Sequence, residues 1–304
     1  MAASAATTSR PPLTRRLLGR HPIGYVFVAP YVLFLFAIFA YPLGFAVYMS
    51  FYDYFFAAPG AIVERPFVGL DNYTTALADP VFHRAMLNVV IFIAINVPLT
   101  VFVGLILATA LNTAIPFRTF FRASYFVPYV TASVAVIGVW LWLFNSDGLV
   151  NSILGPLAPD PSWLVNSFWA MPIIALFATW KQLGFYVLLY LAALQNIPEE
   201  LYEAAEVDGA GTVKRFTAVT LPGVRPTTTL VVIAATITGA NFFTEPYLLT
   251  GRGGPAGASV SPVLLMYTQG IEQGHAGYAA AIGVLLAIGV IAVSLVNRYL
   301  LERS

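Results

Sequence analysis

This chain has few residues equipped for chemistry. It holds no cysteine, and His21, His83 and His275 stand far apart, which excludes disulfides, thiolate catalysis and Cys-ligated metals and gives no basis for a histidine metal site. No His or Asp pair falls at helical spacing in an apolar run, and there is no phosphate loop, so neither a catalytic residue nor a cofactor held by this chain is expected. Polar side chains instead gather in two settings. One is the interval 196–225, with Glu199, Glu200, Glu203, Glu206, Asp208, Lys214 and Arg215. The other is a pair of ions isolated inside apolar sequence: Lys181 beside Trp180 and Gln182, and Glu245 four residues after Asn241. An ion at that depth costs several kcal/mol unless it is paired or meets water. Lys181 and Glu245 therefore read either as lining of a central cavity or as helix-packing groups that pair with each other or with a neighbouring subunit.

The elements that must position these residues follow from hydropathy. Of 304 residues 59% are hydrophobic and only 10% charged, with a mean hydropathy of +0.80, against roughly 25% charged in a soluble domain. The charges cluster and leave six apolar runs, at about 25–49, 85–111, 120–144, 168–194, 227–249 and 278–300. Each is near the roughly 20 residues that cross a 30 Å hydrocarbon core as helix, and helix is required because backbone groups in lipid must bond within the segment. The expected fold is all-α, a polytopic membrane protein with six spans. Residues 1–24 read as a basic N-terminal tail, and 25–304 as the membrane domain. The first run is too long for the apolar region of a signal peptide. With the N-terminus inside, eleven lysines and arginines lie on the inner side, from Arg10 to Arg303, against Arg65, Arg84 and Arg252 outside. That bias predicts both termini and the polar interval on the cytoplasmic face. The first outer loop has room for a short interfacial helix. No basic stripe interleaves with aromatics, so no nucleic-acid partner is expected, while membrane lipids are.

Within the polar interval, Pro198 suits a first helical position and Glu199 and Glu200 favour the positive helix start. Leu201, Ala204, Ala205 and Asp208 follow at i, i+3, i+4 and i+7 as a narrow face of small residues, with Glu199, Glu203 and Glu206 on another. Gly209 ends the helix. Thr212 could cap a second one over 213–220, which Leu221-Pro222 terminates. One reading is a knob that enters a socket on another protein; the other is an amphipathic helix resting on the membrane. Four glutamates and two alanines, where a lipid-surface helix carries basic and large apolar residues, tilt towards protein docking.

Glu203-Ala204-Ala205, three residues, Gly209, nine residues, Val219, one residue, then Leu221-Pro222 resembles the EAA loop of binding-protein-dependent ABC import permeases, with Val219 for the commoner isoleucine. Asp208, Ala210, Phe216, Thr220 and Pro226, with Pro42-Leu43-Gly44 and Gly69-Leu70-Asp71-Asn72-Tyr73, look like the carbohydrate-uptake branch. Leu249-Thr250 followed by Gly253-Gly254-Pro255 is similar to its maltose-permease F type, although Gly251-Arg252 lengthens the usual gap by one residue. The resemblance implies a type I importer permease fold. It implies a coupling helix seated on a cytoplasmic ATPase through Leu201, Glu203, Ala204, Ala205, Asp208, Gly209, Leu221 and Pro222. The implied partners are a second homologous permease, two ATPase subunits that hold ATP and magnesium, and an extracytoplasmic solute-binding protein. Lys181, Gln182, Phe185, Thr238, Asn241 and Phe242, with Glu245, would line the substrate path, and Gly253, Gly254 and Pro255 would meet the binding protein.

The expectation is therefore a non-enzymatic permease subunit of the bacterial plasma (inner) membrane, in an ATP-driven importer of a sugar or related polyhydroxylated solute. Import of glycerol 3-phosphate or a glycerophosphodiester is the runner-up, which calls for cations in the cavity beyond Lys181. A stand-alone channel or secondary transporter would show paired broken helices or repeats, and an intramembrane enzyme a nucleophile–base or metal set; the sequence shows neither.

Overall fold

The computed structural model describes residues 23–303, apart from 59, 62, 114 and 115. The tail expected over 1–24 lies outside the described residues except for Ile23 and Gly24. Among the described residues, helix accounts for all regular structure but one antiparallel bridge between Tyr52 and Phe67. The chain divides into two compact units, one ending at Tyr48 and one beginning at Met49. The first is an apolar span made of α1 (Ile23–Leu35), a π-helical turn (Phe36–Ala40) and α2 (Tyr41–Met49), and α2 runs one residue into the second unit.

The second unit opens with the short helix expected in the first loop, α3 (Asp71–Ala78). Then comes α4 (Pro80–Asn112), which starts ahead of the apolar run at about 85: Pro80 opens it, and the Asp79 carboxylate accepts from the Val81 amide at 2.8 Å. After α4 come α5 (Arg118–Val130), α6 (Ser133–Leu143), α7 (Ala170–Gln195), α8 (Glu199–Val207), α9 (Thr212–Arg215), α10 (Arg225–Ala240), α11 (Thr244–Leu248), α12 (Pro262–Tyr267) and α13 (Ala276–Arg303). Five described segments are long and apolar enough to span a membrane, or six if the bent pair α5–α6 counts as one.

Pairwise contacts fix the directions. Asn96 donates to Thr179 at 2.8 Å and Gly104 faces Tyr190, so α4 and α7 run parallel. Phe92 stands against Gly239 while Tyr190 reaches Thr228, so α10 runs antiparallel to both. The Tyr278 hydroxyl donates to Asp79 at 2.8 Å and Asn297 donates to Thr236 at 3.3 Å, so α13 is parallel to α4. One end of the bundle thus gathers Asn112, Gln195, Arg225 and the polar interval. The opposite end gathers Asp79, Ala170 and the Gly253 loop.

Between apolar helices in lipid there is no hydrophobic driving force, so close packing and interhelical hydrogen bonds carry association. The buried Asn96–Thr179 bond supplies one such link. An aromatic cluster closes the far end: Trp140 stacks on Phe144 and meets Phe177 edge-on, and Trp163, beside Phe144, donates to Asn151 at 2.6 Å.

The third span departs from expectation. Rather than one helix over 120–144, α5 and α6 meet at a bend of 99° around Thr131–Ala132. Pro128 has no amide to give the Ser124 carbonyl and strains the turn before it. The Thr131 carbonyl, freed at the break, accepts instead from the Lys181 ammonium at 3.2 Å. The fifth span is interrupted as well: α10 ends at Ala240, and residues 241–243 are irregular before α11.

Gly184 is where α5 and α7 touch backbone to backbone. A Cβ there would lie 2.1 Å from the Tyr125 carbonyl oxygen, which no side-chain adjustment relieves. We expect Gly184→Ala to destabilise the folded permease by about 1–3 kcal/mol, the usual cost of overpacking. Gly138→Ala, where a Cβ meets nothing within 4 Å, should leave it unchanged. Thermal unfolding of the two variants in detergent checks the contrast; equal melting would contradict the close approach.

Candidate functional site

The polar interval folds as a helical hairpin between α7 and α10. Asn196 and Ile197 leave α7, and Pro198 sits in extended backbone as the residue before α8 rather than inside it. Glu199 and Glu200 occupy the first turn, beside the exposed amides of the helix start. At the other end the Gly209 amide donates to Glu206 at 2.9 Å and the Ala210 amide to Ala205 at 2.8 Å. Together with φ +74° at Gly209, this is a Schellman stop, the geometry glycine adopts without strain.

The second arm is longer than its pattern suggests. Gly211, not Thr212, precedes α9, and Thr212 is helical. The helix then widens into a π-helical turn (Phe216–Thr220) and runs on through Leu221–Gly223. Leu221-Pro222 therefore lies inside the helix; the wide turn before it accommodates the missing proline donor.

Three contacts hold the arms together. The Tyr202 and Thr220 hydroxyls share a hydrogen bond of 3.0 Å, with Thr220 buried. The Arg215 guanidinium donates to the Glu206 carboxylate at 2.8 Å, a pair too exposed to contribute more than a fraction of a kcal/mol. Ile197 closes the base: a Cβ on Gly223 would come within 2.6 Å of its Cδ1.

What the hairpin presents outward is apolar and acidic. Glu203, Ala204, Asp208 and Gly209 are exposed, Ala205 is half-buried, and Leu221 and Pro222 are exposed on the second arm. Leu201 is 51% exposed, and Val207 and Val213 on either side of the turn are 87% and 78% exposed. Glu203 has no hydrogen bond or ion pair to any described residue. The two valines were missed in sequence; their signal was a branched apolar residue on each side of a Gly-rich turn, where polar residues are usual.

The residues expected along a path through the spans are only partly brought together. Lys181, Gln182 and Phe185 share one stretch of α7, opposite α5. Lys181 holds the Thr131 carbonyl, Gln182 accepts from the Tyr186 hydroxyl at 3.4 Å, and Phe185 stacks on Tyr129 with ring centres 5.3 Å apart. Glu245 is half-buried on α11, which packs against α6 and α7, and it is not within ion-pair distance of Lys181. Thr238 near the end of α10 and Asn241 just past it are exposed, their side chains donating back to Ala234 at 2.8 Å and Ile237 at 2.7 Å. Asn241 opens onto a separate groove of about 740 Å³ between α10, α12 and α13. Phe242 points into the core, stacked on Phe92 at 4.5 Å and 5% exposed.

Gly253, Gly254 and Pro255 form a tight turn at the opposite end from the hairpin. Gly253 (φ +107°) is buried against Val260, and the extra residue, Arg252, pairs with Glu272 at 3.1 Å. Asn88 of α4 anchors the turn by donating to the carbonyls of Gly257 and Val260. Among the described residues no group of His, Cys, Asp or Glu could hold a metal.

Comparisons with known proteins meet this geometry at several points. Residues 84–304 match the family model described as binding-protein-dependent transport system inner membrane component. The arabinooligosaccharides transport system permease protein of Bacillus subtilis is 37% identical over 277 residues, covering 90% of this chain and 86% of its own. The lactose transport system permease protein of Rhizobium radiobacter is 33% identical, covering 97% and 98%. In structure, the chain is similar to a subunit of a bacterial ABC transporter involved in import of the acidic polysaccharide alginate. The TM-score is 0.72 at 22% identity, over 95% of this chain and 98% of that one. The same transporter in complex with its alginate pentasaccharide-bound periplasmic protein matches equally well, at a TM-score of 0.72.

The hairpin's stop rests on one backbone conformation. A Cβ at Gly209 meets nothing within 4 Å, so Gly209→Ala tests the left-handed geometry alone, at a cost of about 1–2 kcal/mol. We expect it to loosen the hairpin, seen as faster amide exchange over 199–210 with unchanged exchange in α7. Unaltered exchange would show that the stop does not depend on glycine.

Proposed function

Because this chain belongs to the binding-protein-dependent transport system inner membrane components, we propose that it is the permease subunit of an ATP-driven importer that carries a sugar or sugar-like solute. The observation that carries the reading is the hairpin: a preformed, exposed knob whose unpartnered Glu203 and uncovered Leu201, Val207 and Val213 fit a socket on another protein. Lysines and arginines support placing that end in the cytoplasm. Arg118, Arg122, Lys214, Arg215, Arg225 and Arg298 lie there, against Arg65, Arg84 and Arg252 at the other end. In this reading both termini are cytoplasmic and the membrane is the bacterial inner membrane.

The knob then seats on one of two ATPase subunits, which bind ATP and magnesium and do the hydrolysis. A second, homologous permease completes the pathway. The solute arrives from a binding protein at the opposite end, near the Gly253-Gly254-Pro255 turn, and the alginate importer solved with its loaded periplasmic protein supports such a partner. Closure of the ATPase dimer moves the knobs, and the two permeases rock from inward- to outward-facing. Lys181, Gln182 and Phe185 on α7, with Thr238, Asn241 and Glu245, supply hydrogen-bonding groups and an aromatic face of the kind that suits hydroxyls and sugar C–H surfaces. Phe242 serves from behind, as packing. A sugar is favoured over a glycerol phosphate because the named relatives carry arabinooligosaccharides and lactose. Lys181, the cation near the middle of a span, is moreover already engaged by the Thr131 carbonyl.

Two outcomes test this. Glu203→Lys should cut co-purification of the ATPase by at least about tenfold, the equivalent of 1.4 kcal/mol, while membrane insertion is unchanged; undiminished recovery of ATPase sinks the docking role. Asn241→Leu should lower solute uptake in vesicles without loosening the complex, and normal uptake would assign Asn241 to packing alone.

A further inference from the structure

The start of α5 carries two guanidinium groups that the protein leaves unanswered. Arg118 and Arg122 are four residues apart, on one face of the helix. The Nε of Arg118 and the Nε and Nη2 of Arg122 are shielded from solvent yet have no hydrogen-bond partner. Among the described residues, no carboxylate lies within ion-pair distance of either arginine. A guanidinium forms no stable neutral state, so the absence of an acceptor cannot be met by losing a proton. These shielded N–H donors call for an acceptor from outside the described residues.

The surroundings say where that acceptor comes from. Phe117, Phe120 and Phe121 project outward beside the arginines, all exposed. An aromatic collar facing away from the protein suits acyl chains rather than water. The helix lies antiparallel to α7, since Tyr125 meets Gly184 while Thr131 meets Lys181. Its first turn therefore sits at the end of the bundle where α4 stops at Asn112 and α7 at Gln195. That is the level at which spans leave hydrocarbon and lipid headgroups begin. Basic residues at this level are drawn to anionic lipid, and the flat donor array of arginine fits phosphate oxygens two at a time.

We propose that Arg118 and Arg122 form a binding site for the phosphodiester of an anionic phospholipid, with Phe117, Phe120 and Phe121 against its chains. The lipid would anchor the start of α5, whose other end, at the bend of the third span, is held by Lys181. The inference needs only that the spans lie in a bilayer. It does not depend on the solute or on the ATPase docking, so its failure would leave those readings untouched.

The test uses the assembled transporter, reconstituted in mixed phosphatidylcholine and phosphatidylglycerol, gently extracted, and measured for retained lipid by mass spectrometry. Wild type should retain phosphatidylglycerol above its share in the bilayer, also after a wash in inorganic phosphate. Arg118→Gln with Arg122→Gln should lower that retention about tenfold, in keeping with two basic residues at a lipid surface. Arg118→Lys with Arg122→Lys, which keeps the charge, should restore part of it. Retention by wild type no greater than that of phosphatidylcholine overturns the proposal, and so does displacement of the lipid by free phosphate. Loss of ATPase from the glutamine variant with lipid retention unchanged also overturns it, because the arginines would then be answering a protein. If the glutamine variant does not assemble, the wild-type comparison decides alone.

Discussion

A peptide group inside hydrocarbon has no water to fall back on, so each irregular point in a span must find its partner within the protein. Among the described residues the spans break outright at Thr131–Ala132 in the third and at residues 241–243 in the fifth, and α7 lies beside the first. At the first, the Lys181 ammonium takes the Thr131 carbonyl. At the second, the Asn241 amide turns back onto the Ile237 carbonyl at 2.7 Å and its own backbone amide reaches Thr238 at 3.2 Å. Lys181 and Asn241 and the broken helices are thus one feature. A break exposes peptide groups, a polar side chain satisfies them, and the same side chain is left at a place where the backbone is not straight.

Much of this was legible in the sequence because it was written in spacing. Six apolar runs locate the spans, and Asp208-Gly209 announces the stop of α8, since a left-handed residue after a helix favours glycine. The 99° bend was not legible. Pro128 removes a donor, but a proline in a span is compatible with a gentle kink, and only the distant Lys181 shows where the freed carbonyl goes. The direction of Phe242 was not legible for a related reason: where the helix stops at Ala240, the periodicity that assigns faces stops too, and the ring lies inward, stacked on Phe92. The extension of α9 through Leu221-Pro222 was hidden because a π-helical turn has no sequence signature of its own, and proline ordinarily reads as an end.

The placement of α7 links the two regions that sequence treated separately. It is unbroken from Ala170 to Gln195, so Gln182 stands about 20 Å from the hairpin at 1.5 Å per residue. Asn196 and Ile197 join it to α8 with almost no slack, and Ile197 is also the residue packed under Gly223 at the exit towards α10. A displacement of the hairpin therefore reaches α7 and α10 together. The first carries Lys181, Gln182 and Phe185, and the second carries Thr238 and leads into Asn241, so in the proposed mechanism the path walls move as rods rather than by local rearrangement.

For such transmission the hairpin must be stiff before it meets its partner. The ion pair Arg215–Glu206 cannot supply that stiffness, being half in water and worth little. The Schellman stop, the Tyr202–Thr220 bond beside a buried hydroxyl, and the Ile197 packing can, because each fixes the backbone locally and none relies on the attraction of exposed charges. With the backbone held this way, the exposed Leu201, Val207 and Val213 meet a socket without first being ordered, and association loses less to conformational entropy. A flexible loop with the same residues would spend part of any push on its own bending. The hairpin's internal bonds are therefore as much a requirement of coupling as the surface it presents.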